Sequence, residues 1–222
     1  MGKILRVLKE EDVGSIGIGA MIVFIAMVLV AGIAASVLIQ TSTRLESQAM
    51  TTGQETISEV ATGIAVFDIE GHAPSTLITL IAITVRPRAG SQDIDLNETF
   101  VELSNTAQKV VLSFNGNGDG WNDSSIGVDH IFGVSCFPSA NRFGVLVLED
   151  QDGSCTQDNP VINKGDKVML TVDVSNCFTA SGIAVRTDIW GAVIPEDGSP
   201  GVIAFTAPSS YGSSTDNVFD LQ

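Results

Sequence analysis

A long apolar run near the N-terminus contains no charged residue and no proline. The run extends from Ile16 to Ile39, and Ser36 is its only polar side chain. As an α-helix it would be ~36 Å long at ~1.5 Å per residue, which is enough to cross a bilayer core of ~30 Å. Because it is apolar on every face, it must be surrounded by lipid or by other protein. The pattern therefore predicts a membrane-length helix near the N-terminus.

Beyond Ile39 the pattern becomes amphipathic and shows no clear stop. Leu45 and Ala49 lie four residues apart, and apolar residues at helical spacing recur from Ile57 to Ile64. Gly53 interrupts this stretch, but one glycine need not end a helix. The sequence predicts one long helix over residues 15–63, about 70 Å in length.

Further along, the pattern changes to that of β-strands. Short runs rich in β-branched residues alternate with turns rich in Gly, Asp and Asn. The candidate strands are Thr76–Arg86, Thr99–Leu103, Val110–Phe114, His130–Val134, Phe143–Leu148, Lys167–Val174, Ile183–Val193 and Val202–Thr206. Seven or eight short strands of this kind predict an antiparallel sandwich or barrel over residues 70–222. The predicted fold class is therefore α+β.

A short charged head, MGKILRVLKEEDVG, precedes the apolar run. Its positive residues favour keeping this end in the cytoplasm. The apolar run is too long for an ordinary secretory signal, and no convincing cleavage site follows it. The candidate processing point lies between Gly14 and Ser15, so residues 1–14 are predicted to be a cleaved leader peptide.

Small residues inside the apolar run suit close packing of helices. They are Gly17, Gly19, Gly32 and Ser36, of which Gly32 and Ser36 are spaced four apart. Small side chains let helices approach closely where no water is present to drive association. The alternative interpretation is a plain membrane anchor of ordinary composition.

The charge of the chain limits its partners. The formal net charge is −15 and the sequence pI is about 4.2, which argues strongly against binding nucleic acid. The three cysteines are Cys136, Cys155 and Cys177. An extracellular disulfide between two of them and a role as small buried hydrophobes remain equally open.

Four segments resemble archaeal flagellins (archaellins). They are GIGAMIVFIAMVLVAGIAASVLIQTS from Gly17, QAMTTGQETISEVATGI, NPVINKGDKVMLTVDV from Asn159 and VIPEDGSPGVIAFTAP from Val193. The resemblance covers both ends of the chain and is weak in the middle, over residues 90–160. The family usually has a basic residue just before the glycine at the cut, where this chain has Val13.

The resemblance implies a precursor in the cell membrane that a prepilin-peptidase-like enzyme cuts after Gly14. It implies export by a type IV pilus-like archaellum assembly machinery into an extracellular filament that serves swimming motility. The N-terminal helices would form the filament core, in contact with other copies and other archaellins. Immunoglobulin-like β-sandwich domains would form the outer shell.

Two kinds of modification or ligand site are predicted in the β region. The sequons at Asn97 and Asn122 could accept N-glycans, and Asn122 is favoured because it follows a Gly-rich turn. The alternative is chance occurrence. Oxygen-bearing residues alternate at Asn115, Asn117 and Asp119 before a glycine, as in the first half of a calcium loop. The bidentate acid of such a loop is missing. A second acidic cluster comprises Glu149, Asp150 and Asp152, and solvated turns are the alternative interpretation of both.

No arrangement of a nucleophile with a base is recognisable, so the chain is not expected to be an enzyme. The predicted function is that of a structural filament subunit. The alternatives are an adhesive type IV-like pilus subunit and a membrane-tethered extracellular binding module.

Overall fold

We describe a computed structural model of the chain that covers residues 2–116, 118–123, 131–139, 141–178, 181–212 and 217–222, with the backbone alone for residues 2–16. Within these residues the chain forms one long helix followed by a β domain. This agrees with the predicted order of a helix and then strands.

The long helix, α1, extends from Gly2 to Ala61. It contains nearly all of the predicted mature helix, residues 15–63, and the predicted leader residues 2–14 continue the same helix upstream of Ser15. The chain contains no proline before Pro74, and Gly53 does not interrupt the hydrogen-bonded backbone. The helix ends where the Thr62 amide still donates to the Ser58 carbonyl at 2.8 Å. Gly63 then lies so close to another segment that a Cβ there would sit 2.8 Å from the Ser199 carbonyl oxygen.

Twelve strands follow within the described residues. They are β1 (Ile64–Ala73), β2 (Leu80–Pro87), β3 (Ile94–Asp95), β4 (Phe100–Ser104), β5 (Lys109–Phe114), β6 (Trp121–Asp123), β7 (Arg142–Glu149), β8 (Val161–Ile162), β9 (Lys167–Asp173), β10 (Asp188–Ile194), β11 (Gly201–Thr206) and β12 (Asn217–Asp220). A four-residue helix, α2 (Val174–Cys177), follows β9, and the Asp173 side chain caps it by accepting from the Ser175 amide.

Ten strands form one mostly antiparallel sheet in the order β11-β10-β4-β5-β7-β9-β2-β1-β12, with β6 beside β7. Only the β5–β7 and β6–β7 pairs are parallel. The two remaining strands, β3 and β8, pair with each other. The predicted sandwich of two facing sheets is therefore replaced by a single large sheet.

The sheet curls so that β11 comes back towards β1. The Ile64 amide donates to the Ser199 carbonyl at 3.2 Å, and a Cβ on Gly201 would lie 3.0 Å from Val66 Cγ2. The curl encloses the main core, whose fully buried side chains include Ile83, Leu103, Phe143, Leu170 and Ile203. The fold is a curled half-barrel in place of the immunoglobulin-like sandwich.

A smaller apolar cluster covers the opposite face of the sheet. Ala82, Leu146 and Met169, from β2, β7 and β9, pack there with Phe132 and Cys136. The predicted strand His130–Val134 is wrong, since Ile131–Gly133 forms one turn of 3₁₀ helix and residue 130 lies outside the described residues. The apolar residues of this segment serve as a cover for the sheet.

Three strand boundaries also differ from the prediction. The β domain begins with β1 at Ile64, before the predicted domain start at residue 70. The run Thr76–Arg86 becomes strand only from Leu80, and Ile183–Val193 only from Asp188.

The three cysteines are free thiols, and Cys136 and Cys155 are buried, in keeping with small hydrophobes.

Candidate functional site

The surface of α1 is the most apolar exposed region of the described chain. Every residue from 17 to 57 is exposed, including Phe24 at 66% and Ile33 at 66%. The helix over Gly17–Ala61 is long and apolar enough to cross a membrane. An apolar surface of this extent does not remain in water, because exposed apolar area costs about 25 cal/mol per Å².

The predicted packing residues have open space around them. A Cβ added to Gly17, Gly19 or Gly32 would meet nothing within 4 Å in this chain. Gly32 and Ser36 lie one turn apart, on the same face of the helix. The free space is what a neighbouring helix would need in order to approach. Since that neighbour is another molecule, the packing role of the four residues remains a prediction.

The hydroxyl groups of three threonines along α1, at positions 41, 43 and 51, are satisfied by the helix itself. Thr41 donates to the Val37 carbonyl at 3.0 Å, and Thr51 donates to the Ser47 carbonyl at 3.0 Å. A hydroxyl that bonds to the preceding turn needs no external partner. The helix can therefore be enclosed by apolar neighbours at a lower desolvation cost.

The predicted cut between Gly14 and Ser15 falls inside α1, where only the backbone is described.

The two predicted glycosylation sites differ in access. Asn97 is exposed at a turn, while the following Thr99 is buried and donates to the Asp95 carbonyl at 2.8 Å. Asn122 is half-buried within β6. The geometry favours Asn97 as the acceptor, whereas the sequence favoured Asn122.

The predicted calcium loop is only partly assembled. Asn117 lies outside the described residues, and Asp119 is exposed. Asn115 is buried, and its Oδ1 accepts from the Arg142 guanidinium at 3.4 Å. A positive group beside that oxygen disfavours a cation there. The loop stays a prediction.

The second acidic cluster has a different membership from the predicted one. Asp150, Asp152 and Asp166 bring carboxylate oxygens within 4.8 Å of one another, whereas Glu149 lies on the neighbouring surface. Three carboxylates are the kind of hard oxygen donors that Ca²⁺ prefers. Asp166 is distant from the other two in the sequence. The turn at Gly165, where φ is +110°, brings Asp166 next to them.

Hydrogen bonds already hold these three carboxylates in place. Asp166 is buried and accepts from the amides of Gln151 at 3.3 Å and Asn163 at 2.9 Å. Hydrogen bonds from Ser154 and Asn163 lower the pKa of Asp152 below its usual value. Burial, together with the charges of these aspartates, raises the pKa of the Cys155 thiol to about 12.

These features define a class of protein: a subunit whose membrane-length helix is uncovered and whose β domain carries its own core. Comparison with known proteins then identifies the family. The archaeal-type flagellin family matches residues 14–205. Flagellin B2 of Methanocaldococcus jannaschii is 42% identical over 99% of this chain and 100% of its own length. Flagellin B3 of Thermococcus kodakarensis is 37% identical over 98% of this chain and 100% of its own length.

The chain belongs to the archaeal-type flagellins. It is a structural subunit of the archaellum filament, which serves motility, and it is not an enzyme. The recognition made from the four sequence segments is confirmed.

Solved structures share the fold. The crystal structure of archaeal flagellin FlaB1 from Methanocaldococcus jannaschii matches with a TM-score of 0.64 and 32% identity, over 73% of this chain and 98% of that chain. The archaeal flagellum of Methanospirillum hungatei matches with a TM-score of 0.60 and 14% identity, over 88% of this chain and 95% of that chain. The second likeness concerns the fold alone.

Proposed function

We propose that the chain is made as a membrane precursor and is cut between Gly14 and Ser15 before it enters the filament. The charged head and the uncharged helix meet at this point, and the family match begins at residue 14. A prepilin-peptidase-like enzyme would remove residues 1–14, so that the apolar helix becomes the N-terminus of the subunit.

The uncovered surface of α1 is the observation that carries this proposal. In the precursor, lipid covers the helix. In the filament, the helices of other subunits replace the lipid, and the archaellum assembly machinery makes the exchange. Lipid tails are as apolar as leucine, so the exchange gains little from hydrophobicity and relies on close packing at small residues such as Gly32 and Ser36. Identical subunits in a non-closing arrangement give an open helical filament.

The β domain would then form the outer layer of the filament. Its acidic, polar surface suits contact with salt water, and it would carry an N-glycan on Asn97. Glycopeptide mass spectrometry of filaments checks that assignment. An unmodified Asn97 beside a modified Asn122 would reverse it.

N-terminal sequencing of filament protein tests the proposed processing. The filament subunit should begin at Ser15, and a Gly14→Phe variant should accumulate as full-length precursor in the membrane. Gly2→Phe is the matched control, because it adds the same side chain to the leader away from the cut. Filament protein that begins at Met1 would refute the cut, and a chain that stays in the membrane without forming filaments would be a tether.

A further inference from the structure

A basic groove lies on a strongly acidic domain. Residues 63–222 hold 20 acidic and seven basic residues, a net charge of −13. Four of the seven basic residues line a single groove of about 550 Å³ between β1, β2 and the turn before β9: Arg86, Arg88, Lys164 and Lys167. We call these four residues the basic groove. Concentration of most of the positive charge at one place marks a surface that is suited to an anionic partner.

Two of these cations are held in place by an exposed aromatic ring. Arg86 Cζ lies 5.1 Å from the centre of the Phe67 ring, and Lys167 Nζ lies 5.3 Å from it. Phe67 is 56% exposed and is the extra residue of the β-bulge between Val66 and Asp68 in β1. Cations over an aromatic face are attracted to it. The ring therefore orders two positive groups on the surface before any partner arrives.

The acids of the groove do not neutralise it. Asp166 is buried, and its carboxylate accepts from backbone amides. Glu149 is exposed at the rim. Among the residues that the structure describes, none of the four basic side chains forms an ion pair with a carboxylate. Lys109, outside the groove, does form one, with Glu102 at 2.8 Å.

An acidic trio lies further along β1 and on its neighbour β12, and consists of Asp68, Glu70 and Asp220. Glu70 of β1 faces Asp220 of β12 as its cross-strand partner, and Asp68 precedes it on the same face. Burial, and then the charges of Asp68 and Asp220, raise the pKa of Glu70. Asp68 pairs with Thr84 and Glu70 with Ala82, which lie two and four residues before Arg86 in β2. At ~3.3 Å per residue, the trio therefore begins ~7 Å from the groove and extends to ~13 Å from it.

We propose that the basic groove of one subunit receives the acidic trio of a second copy of this chain in the filament. The two surfaces are different, so each subunit can offer one and accept the other. In a helical filament the contact is head-to-tail: the groove of one subunit takes the trio of the next, and the series continues along the open polymer. Charge complementarity fixes the register of such contacts and selects the partner. The inference rests on assembly into a filament and adds to the helix packing a contact between β domains.

Carbodiimide treatment of intact filaments tests the contact directly. The reagent joins a lysine amine to a touching carboxylate as an amide, and the water lost is taken up as the urea. We expect a dimer band in which Lys164 or Lys167 is linked to Asp68, Glu70 or Asp220, and no such band from the full chain dispersed in detergent. A filament dimer whose cross-links lie only at other residues would overturn the proposal.

Charge reversal gives a second, independent test. Lys164→Glu with Lys167→Glu, or Glu70→Lys with Asp220→Lys, should each shorten filaments roughly tenfold or more, since like charges at an interface are strongly unfavourable. Combining the two pairs of changes should restore filament length. Lys109→Glu is the matched control and should leave length unchanged, while melting of each full chain checks that it folds.

The possible failures can be told apart. If the unaltered chain forms no filaments, filament assembly itself is refuted. If the unaltered chain polymerises but the combined reversal is as defective as the single ones, the trio is not the occupant of the groove. Filaments of normal length from the variant with both lysines reversed, or from the variant with both acids reversed, would also refute the contact.

Discussion

A Gly32→Leu substitution separates packing in a filament core from simple anchoring in lipid. In the isolated chain the new side chain meets no obstacle, since a Cβ at Gly32 has nothing within 4 Å. It keeps the segment apolar and long enough to cross a membrane. Leucine also favours helix over glycine by about 1 kcal/mol. Insertion of the precursor and its processing should therefore be unaffected.

The filament should respond in the opposite direction. A bulky side chain forced into a well-packed contact typically costs ~1–3 kcal/mol. The cost recurs at every subunit, and it corresponds to a roughly 5- to 140-fold weaker addition of each subunit. Filaments should become short or absent while processed subunit accumulates in the membrane.

The assay pairs an immunoblot for processed subunit with electron microscopy of filaments. Val30→Leu is the matched control, because Val30 is already bulky and 68% exposed, and the change adds only one methylene. Filaments of normal length and number from the Gly32→Leu variant would show that Gly32 faces no neighbouring helix. The packing argument would then be refuted at that position.

Three more outcomes concern the β domain and are measured by thermal melting of the full chain in detergent. Gly191→Ala should lower Tm by roughly 6–12 °C. A Cβ there would overlap the Glu102 carbonyl oxygen, so the backbone must shift at a cost of ~3 kcal/mol. Gly116→Ala is the control and should leave Tm unchanged, because a Cβ at Gly116 has room. Burial and neighbouring carboxylates raise the pKa of Glu70, so the folded chain binds this proton more tightly and stability falls as pH rises through the ordinary glutamate range. Glu70→Gln should therefore raise Tm at pH 7 and have no effect below pH ~4; an equal effect at both pH values would contradict this. If the predicted calcium loop binds Ca²⁺, a chelator should lower Tm, and Asp119→Ala should abolish this effect of the chelator. If the chelator still lowers Tm of the Asp119→Ala variant, the loop is not the calcium site.

The long helix could be predicted from the sequence because its signal is local. A run of apolar residues without proline specifies a helix and its environment at once. The start of the helix could not be placed, since the charged head also favours helix and Gly14 does not break it. Under the proposed processing, the cut and not the folding of α1 would decide where the mature helix begins.

The strands were predictable where their alternation is regular and missed where it is interrupted. Strand β4 shows buried and exposed residues in strict alternation. Strand β1 does not, because the bulge between Val66 and Asp68 shifts its register and Gly71 resembles a stop signal. The pairing of β5 with β7 joins distant segments in parallel, and no local pattern indicates it. The single curled sheet therefore could not be distinguished from two facing sheets.

The surface sites depend on folding for the same reason. Asp166 joins Asp150 and Asp152 only after the turn at Gly165 brings its strand alongside. The basic groove collects Arg86 and Lys167 from neighbouring strands, and in the sequence they are two isolated cations in an acidic chain. Local composition indicates that the domain is acidic, but not that its few basic residues lie together.

A reconstruction of native filaments from electron micrographs, at a resolution that shows side chains, tests the central claim most directly. It should show the apolar segment Ile18–Ile39 enclosed by the helices of neighbouring subunits, with Gly32 at a close helix contact and the β domains outside. Filaments held together by β domains alone, with the helices exposed or missing, would contradict the claim.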